Sequence, residues 1–286
     1  MSTEKIIGKV SATGSCPSTT DEFYFWTDKS EVLSPFDIIK VKHLPNDATV
    51  TYGVIEEINH VTDSPSHFTS FISSDFGDTN DNIGNMNRLG MNYVRVKVVH
   101  NTGNIYTPVL DGKQVSLCNT EDIRTALGLN NVKNPIVCGY LQMYKGKEAL
   151  KIKVELNGNF LIGPEGAHLN VSGISGLAAK TSYSMFLLNA IQQKFKAEDG
   201  SDVAFVLFNV KGRDLMAIDE KNPDLDDENK RIYTEELGLQ PVPFENVNYY
   251  YPFDNIRPEN VLTNADNRDV RRQRTNGKAF TYKFPC

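Results

Sequence analysis

The chain has 286 residues, which favours two domains over one, and its balance of 40% hydrophobic to 23% charged residues is that of a globular protein with a sizeable core. A net charge of −6 excludes a general nucleic-acid coat, so any contact with DNA or RNA must run through a local basic patch or a ring lumen. Cys16, Cys118, Cys138 and Cys286 are far apart and form no Cys-x-x-Cys or Cys/His spacing, which argues against zinc and for reduced thiols in a cytoplasmic protein. The N-terminus Met1-Ser-Thr-Glu-Lys-Ile-Ile-Gly-Lys-Val is polar and lacks the apolar stretch of a signal peptide. No run approaches the roughly 18 apolar residues of a membrane span.

Residues 1 to about 155 read as mostly β. Ile6 to Val10, Phe23 to Trp26, Phe36 to Val41, Thr49 to Ile58, Tyr93 to Val99, Ile105 to Leu110 and Gln114 to Leu117 are short runs rich in β-branched and aromatic residues. Tyr93-Val-Arg-Val-Lys-Val-Val alternates polar and apolar, the period of a half-buried strand. Gly14-Ser15, Pro45-Asn46-Asp47, Thr102-Gly103-Asn104 and Asp111-Gly112 supply turns between the runs. Many short strands with regular turns predict a small barrel or sandwich. In Thr49 to Ile58, Glu56 and Glu57 are neighbours on a strand, so they are expected on opposite faces and not as a catalytic pair. The stretch from Thr62 to Asn92 is rich in Ser, Asp, Asn, Thr and Gly, with Phe68, Phe71 and Phe76 as apolar anchors. It reads as a long functional or partner-binding loop. A short helix is predicted over Thr120 to Leu127, with Thr120 as N-cap and Gly128 as its stop.

Beyond about residue 155 the pattern changes to alternating strand and helix. His168 to Ser172 is a short strand candidate, with His168 packed locally. Ala178 to Phe195 is the clearest helix, its apolar Met185, Leu188, Ile191 and Phe195 at helical spacing and Lys194 and Lys196 at the end that suits the dipole. Val203 to Phe208 is a continuous apolar run, as expected of a strand covered on both faces of a parallel sheet. Asp226 to Leu237 predicts a second helix stopped by Gly238, and Val247 to Tyr251 a third strand. The order β-α-β-α-β implies a parallel sheet with right-handed crossovers.

The chemistry-bearing segment is His168-Leu-Asn-Val-Ser-Gly173-Ile-Ser175-Gly176-Leu177-Ala178-Ala179-Lys180-Thr181-Ser182. It follows the phosphate-loop pattern G-x-x-x-x-G-K-[ST], in which glycines let backbone N–H groups curl around phosphate oxygens, the helix N-terminus adds positive charge, a lysine neutralises phosphate and a hydroxyl ligates Mg²⁺. Lys180-Thr181 is intact; Ala179 replaces the second glycine, the first falls on Ile174, and Gly173 lies one place early. The competing reading is a glycine-bearing strand-to-helix turn with a solvated lysine. Asn209, Lys211 and Asp214 follow the next apolar run. They are expected beside the loop, because ligands in open α/β sheets sit at the carboxyl ends of strands.

Gly163-Pro-Glu-Gly-Ala-His168 leading into the loop, Lys180-Thr181-Ser182, and Phe208-Asn-Val-Lys-Gly-Arg-Asp-Leu together resemble the HerA/FtsK class of ring ATPases, closest to bacterial HerA-like proteins. Gly8-Lys-Val, Thr51-Tyr-Gly-Val-Ile-Glu-Glu-Ile and Ser73-Ser-Asp-Phe-Gly are similar to the HAS-barrel that precedes the ATPase in that family. The resemblance spans about residues 5 to 255. It implies a HAS-barrel-like β-barrel over 1–155, followed over 156–286 by part of a RecA-like P-loop NTPase domain with a parallel sheet. It also implies ATP and Mg²⁺ as ligands, a hexameric homo-oligomer, double-stranded DNA as the translocated substrate and a NurA-like nuclease as partner, in DNA processing or phage defence. Carried over by position, Lys180 would bind phosphate, Thr181 would bind Mg²⁺, and the backbone from Ser175 to Ala179 would cradle the anion. Asn209 stands where relatives often have Asp.

No apolar run ending in Asp-Glu follows residue 210, so the acid that holds Mg²⁺ in such enzymes is missing. The chain therefore reads as the front half of a HerA-like ATPase: a fragment, a truncated gene or a split subunit. Everything past Tyr251 reads as polar and irregular, with Asp269-Val-Arg271-Arg272-Gln-Arg274 a basic run on a solvated tail whose arginines could touch phosphates. His60, His67 and His100 are scattered and expected to be structural. The alternative function is a non-hydrolysing β-barrel assembly module with a degenerate phosphate loop, docking partners through Thr62 to Asn92. A separate anion-binding α/β protein is a third reading.

Overall fold

The computed structural model describes residues 4–43, 49–73, 76–77, 89–163, 166–174, 179–197, 203–210, 213, 215–256, 261, 263 and 267–283. The chain divides into two compact units, residues 1–131 with 141–152, and residues 132–140 with 153–286.

The first unit is built on a closed antiparallel barrel. Its strands are β1 (Ile6–Val10), β2 (Glu22–Thr27), β3 (Ile38–His43), β4 (Thr49–Thr62), β5 (Gly90–Asn101) and β6 (Gln114–Leu117), in the order β1-β2-β5-β4-β3-β6. Alternation decides which side chains fill it. Phe23 and Phe25 of β2, Ile39 and Val41 of β3, Ile55 of β4, Val94 and Val96 of β5 and Val115 of β6 form one buried cluster with Ile7 and Val10. Each Phe or Val buried this way contributes roughly 1.5–3 kcal/mol. Two glycines permit the closure. A Cβ on Gly8 would lie 2.1 Å from the Trp26 carbonyl oxygen, and one on Gly53 would lie 2.3 Å from a Val96 methyl. Both positions need a strand without a side chain.

The expected strand over Ile105 to Leu110 has no ladder. Pro108 cannot donate a hydrogen bond, Tyr106 is exposed, and only Val109 turns into the barrel. Strands β4 and β5 run further than expected, with His60 opposite Asn92 and Thr62 opposite Gly90, so both ends of the predicted loop are paired ribbon. Between them, α1 (His67–Ser73) buries none of its residues. A register shift between Ile55 and Glu57 also overturns the expected opposition of the two glutamates: Glu56 and Glu57 both reach Arg95, at 3.4 and 3.6 Å.

Helix α2 (Thr120–Ala126) is capped by Asn119, one residue earlier than expected. Asn119 Oδ1 accepts from the Asp122 N–H at 2.9 Å, and Asp122 accepts from the Asn119 N–H at 3.0 Å, a reciprocal capping box. Asp122 also accepts from Lys40 Nζ at 2.7 Å and from Tyr52 OH at 3.0 Å, which ties the helix to the outer face of β3 and β4. Strands β7 (Pro135–Met143) and β8 (Leu150–Asn157) pair in a two-stranded sheet. In the turn between them the Tyr144 hydroxyl donates to the Ile38 carbonyl at 2.6 Å and accepts from the Cys118 N–H at 2.8 Å.

The second unit is held by several small clusters. After α3 (Asn159–Ile162), the long α4 (Ala179–Ala197) buries Leu187 and Ile191 against Ile136, with Val203 and Phe205 packed alongside. On another side of α4, Ala190 meets Leu237 and Leu239. The predicted second helix forms as α5 (Asp227–Arg231), capped by Asp226, and widens into a π turn over Ile232–Glu236 before Gly238 at φ +68°. The remaining elements are β9 (Tyr249–Pro252), α6 (Asn267–Thr275) and β10 (Ala279–Tyr282), with β9 and β10 parallel. This corrects the expectation of an irregular tail: in α6, Val270 and Gln273 are fully buried and Asp269 nearly so.

Two predicted strands of this unit have no ladder among the described residues. His168 to Ser172 joins no sheet and is mostly exposed, His168 included, so that histidine does not pack as expected. Val203 to Phe208 is not covered on both faces. Its residues alternate between half-buried and exposed, leaving Val206 at 78% and Phe208 at 85%. Val203 and Phe205 are held by α4, and the period of two turns their neighbours outward.

Candidate functional site: the start of helix α4

The loop before α4 ends with Lys180 in the helix's first turn. Its ammonium donates to the Gly173 carbonyl at 3.0 Å, seven residues back. The lysine stem lies over Gly173, where an added Cβ would come within 3.1 Å of it. One side chain thus closes the ends of the segment 173–180 on each other. Gly173 and Ile174 are exposed, Lys180 and Thr181 half-buried, and Ser182 exposed. Ser184 donates back to the Lys180 carbonyl at 2.9 Å, so its hydroxyl is engaged within the helix. Ala179 is the first residue of α4, while Ser175, Gly176, Leu177 and Ala178 lie outside the described residues. The first N–H groups of a 19-residue helix have no partner within the helix and its dipole is positive at this end, where Lys180 is held in the first turn.

Of the other site residues expected from sequence, Asn209 lies at the exposed end of the extended segment 203–210, and Lys211 and Asp214 lie outside the described residues. Among the described residues no group of three or more His, Cys, Asp or Glu side chains could hold a metal ion.

Helix α4 is also fixed along its length. Gln192 donates to the Glu245 carbonyl at 3.2 Å and accepts from the same residue's N–H at 3.1 Å. Gln193 does the same with Gln240, at 2.9 and 2.8 Å. Two glutamine amides therefore serve as the backbone partner that the segment 240–245 would otherwise find in a neighbouring strand. Asn189 adds a bond to the Val242 carbonyl at 3.2 Å, and Lys196 pairs with Glu245 at 2.7 Å.

A second polar centre was not visible in the sequence. Asp219, with its side chain 2% exposed, accepts from Lys278 at 2.7 Å, Tyr249 at 2.8 Å and Arg272 at 3.3 Å. Burial pushes its carboxyl up, but those three hydrogen bonds outweigh burial and hold it below the ordinary value. Arg272 also reaches the Met216 carbonyl at 2.7 Å and Glu220 at 2.8 Å, and Gln273 donates to the same carbonyl at 3.0 Å. Arg213 pairs with Asp269 at 3.1 Å. The expected solvated arginines therefore include one, Arg272, whose main partners are acids and backbone of its own unit. The sequence signal for this centre was a run of three tyrosines, Tyr249 to Tyr251, with a basic run downstream.

No protein-family model matches the chain, and no curated protein matches it. No helix among the described residues is long and apolar enough to cross a membrane.

Proposed function

We propose that the chain is the ATP-binding portion of a HerA-like DNA translocase, with a HAS-barrel-like module ahead of part of a RecA-like P-loop domain. The observation that carries this reading is the lysine-closed loop at the start of α4, with Lys180 Nζ 3.0 Å from the Gly173 carbonyl. That bond holds an ammonium beside a long helix's N-terminus, where a phosphate can exchange with a carbonyl as its partner. The closed barrel preceding the loop, with Gly8 and Gly53 at its tight contacts, supports the same reading. In this reading Lys180 neutralises the β- and γ-phosphates, Thr181 ligates Mg²⁺, and the chain works as a hexameric ring on double-stranded DNA beside a NurA-like nuclease. Calorimetric titration with ATP·Mg²⁺ is expected to give binding that Lys180→Ala weakens at least tenfold; equal binding by both proteins would sink the proposal.

A second reading is favoured by one observation. Helix α1 buries nothing, and Phe68 at 70%, Phe71 at 48% and Phe76 at 71% stand exposed beyond the β4–β5 ribbon, with Phe71 and Phe76 edge-to-face at 6.4 Å. In this reading the exposed rings are the docking surface of an assembly module that hydrolyses nothing. Deleting 74–87 would then abolish oligomer or partner binding, and an unchanged mass by light scattering would count against it.

A further inference from the structure

One aromatic side chain stands beside Lys180 on helix α4. Tyr183 follows it by three residues, so the two share a face of the helix. Helical side chains lean toward the N-terminus, which directs the Tyr183 ring over the turn that carries Lys180 and Thr181. The ring is held from two directions. Its hydroxyl donates to the Cys138 carbonyl at 3.2 Å. It also packs on Phe186, with centroids 6.1 Å apart and planes at 31°, and Phe186 meets Tyr233 edge-to-face at 5.9 Å. Burial raises the phenol's pKa, so the hydroxyl stays a neutral donor to that carbonyl. Tyr183 nevertheless keeps 38% of its surface open to solvent.

These contacts restrict what the ring can recognise. The hydroxyl has one proton and gives it to Cys138, which leaves no donor for the edge of a base. What the ring still offers a ligand is its π-surface, and every base has a π-face to lay on it. A hydrogen bond to a base edge rejects the wrong base strongly, whereas stacking tolerates all of them. The spacing suits a nucleotide. One helical turn of about 5.4 Å separates the ring from the ammonium's place on the helix, and a ribose separates base from phosphates.

We infer that Tyr183 is the base platform of the site at the start of α4, and that this site takes purine nucleoside triphosphates alike, ATP being one of them. The inference rests on the nucleotide reading above and adds a specificity to it. Lys180 holds phosphate, Tyr183 stacks the base, and the base edge is left to water.

The test is calorimetric titration of the full chain with ATP, GTP, CTP and inorganic tripolyphosphate, each with Mg²⁺. The wild type should bind ATP and GTP within about threefold of each other, and both roughly 5- to 150-fold more tightly than tripolyphosphate, the range of one base–aromatic stack. CTP, with its smaller ring, should fall between. Tyr183→Ala should bring all three nucleotides to the level of tripolyphosphate. It should leave tripolyphosphate itself unchanged, which reports that the loop is still folded. Tyr183→Leu, which keeps an apolar contact for Phe186 but has no π-face, should behave in the same way. Tyr183→Phe keeps the ring and should keep the preference. Lys180→Ala should weaken all four ligands together. A wild type that binds ATP but not GTP would overturn the inference and leave the phosphate site standing. So would nucleotides and tripolyphosphate bound equally, or Tyr183→Ala and Tyr183→Leu weakening tripolyphosphate as much as ATP. A wild type that binds no polyphosphate at all would overturn the nucleotide reading, and this inference with it.

Discussion

The two units keep their shape by different means. The barrel has a continuous apolar interior and a ladder that returns on itself, so each strand has two partners. Among its described residues the second unit has three separate small clusters and a two-stranded parallel sheet, and side chains do much of the work that a ladder does in the barrel. Gln192 and Gln193 pair with a backbone segment, Asp219 gathers Lys278, Tyr249 and Arg272, and Lys180 closes its own loop. The difference teaches where chemistry can reside. A closed ladder leaves few polar groups uncommitted, whereas a unit joined by charged and amide side chains presents groups that a ligand can compete for.

Four substitutions and conditions would break or sharpen that contrast. The largest effect is expected in the barrel, where Phe25→Ala removes a fully buried ring and should cost about 3–5 kcal/mol in urea unfolding. A loss under about 1 kcal/mol would mean the barrel is not the cooperative core. Next comes Asp219→Asn, which leaves Lys278 and Arg272 without their carboxylate. It should destabilise by about 2–3 kcal/mol and increase hydrogen exchange in β9, α6 and β10 while the barrel amides stay protected. Exchange rising equally in both units would erase the distinction. Gln193→Ala should cost about 1 kcal/mol and loosen the segment 240–245 alone, read by proteolysis at that segment.

The smallest effect is a pH dependence confined to the barrel. His43 is fully buried, with Nε2 2.6 Å from Thr51 Oγ1 and no partner for Nδ1 among the described residues. Burial first, then the charge of Lys113, lowers its pKa below the ordinary 6.5. The unfolded chain therefore takes up the proton first. The stability from keeping this ring neutral is complete above about pH 6.5 and is lost as pH falls from there through the lower folded value. One proton gives a slope of at most about 1.4 kcal/mol per pH unit. His43→Gln should flatten that part of the barrel's stability profile, and an unchanged slope in the variant would assign it to other groups.

Legibility in the sequence tracked how local each signal was. Strands β1 and β6 fell where their short apolar runs end, because alternation and turn residues set both limits. Helix α4 followed from its 3.6-residue spacing, to within two residues at either end. The candidate site was legible as a lysine and threonine at a helix start, but not that Lys180 reaches back to Gly173, which depends on how the intervening chain folds. Val203 to Phe208 misled for a related reason: an apolar run says that burial is wanted, not on which side a partner stands. The tail misled because polar residues such as Gln273 and Asp269 are buried only when partners from distant segments satisfy them.

The sequence by itself determined the periods: two along the barrel strands and near 3.6 along α4. These are properties of neighbouring residues and of backbone sterics. Only the tertiary structure decided the partners. It closed the barrel by bringing β6 to β1 and β3, brought both Glu56 and Glu57 to Arg95 through one register shift, and gathered Asp219, Tyr249, Arg272 and Lys278 from across the chain. Such pairings follow from which groups remain unsatisfied once the local elements have formed, and that sum is taken over the whole folded unit.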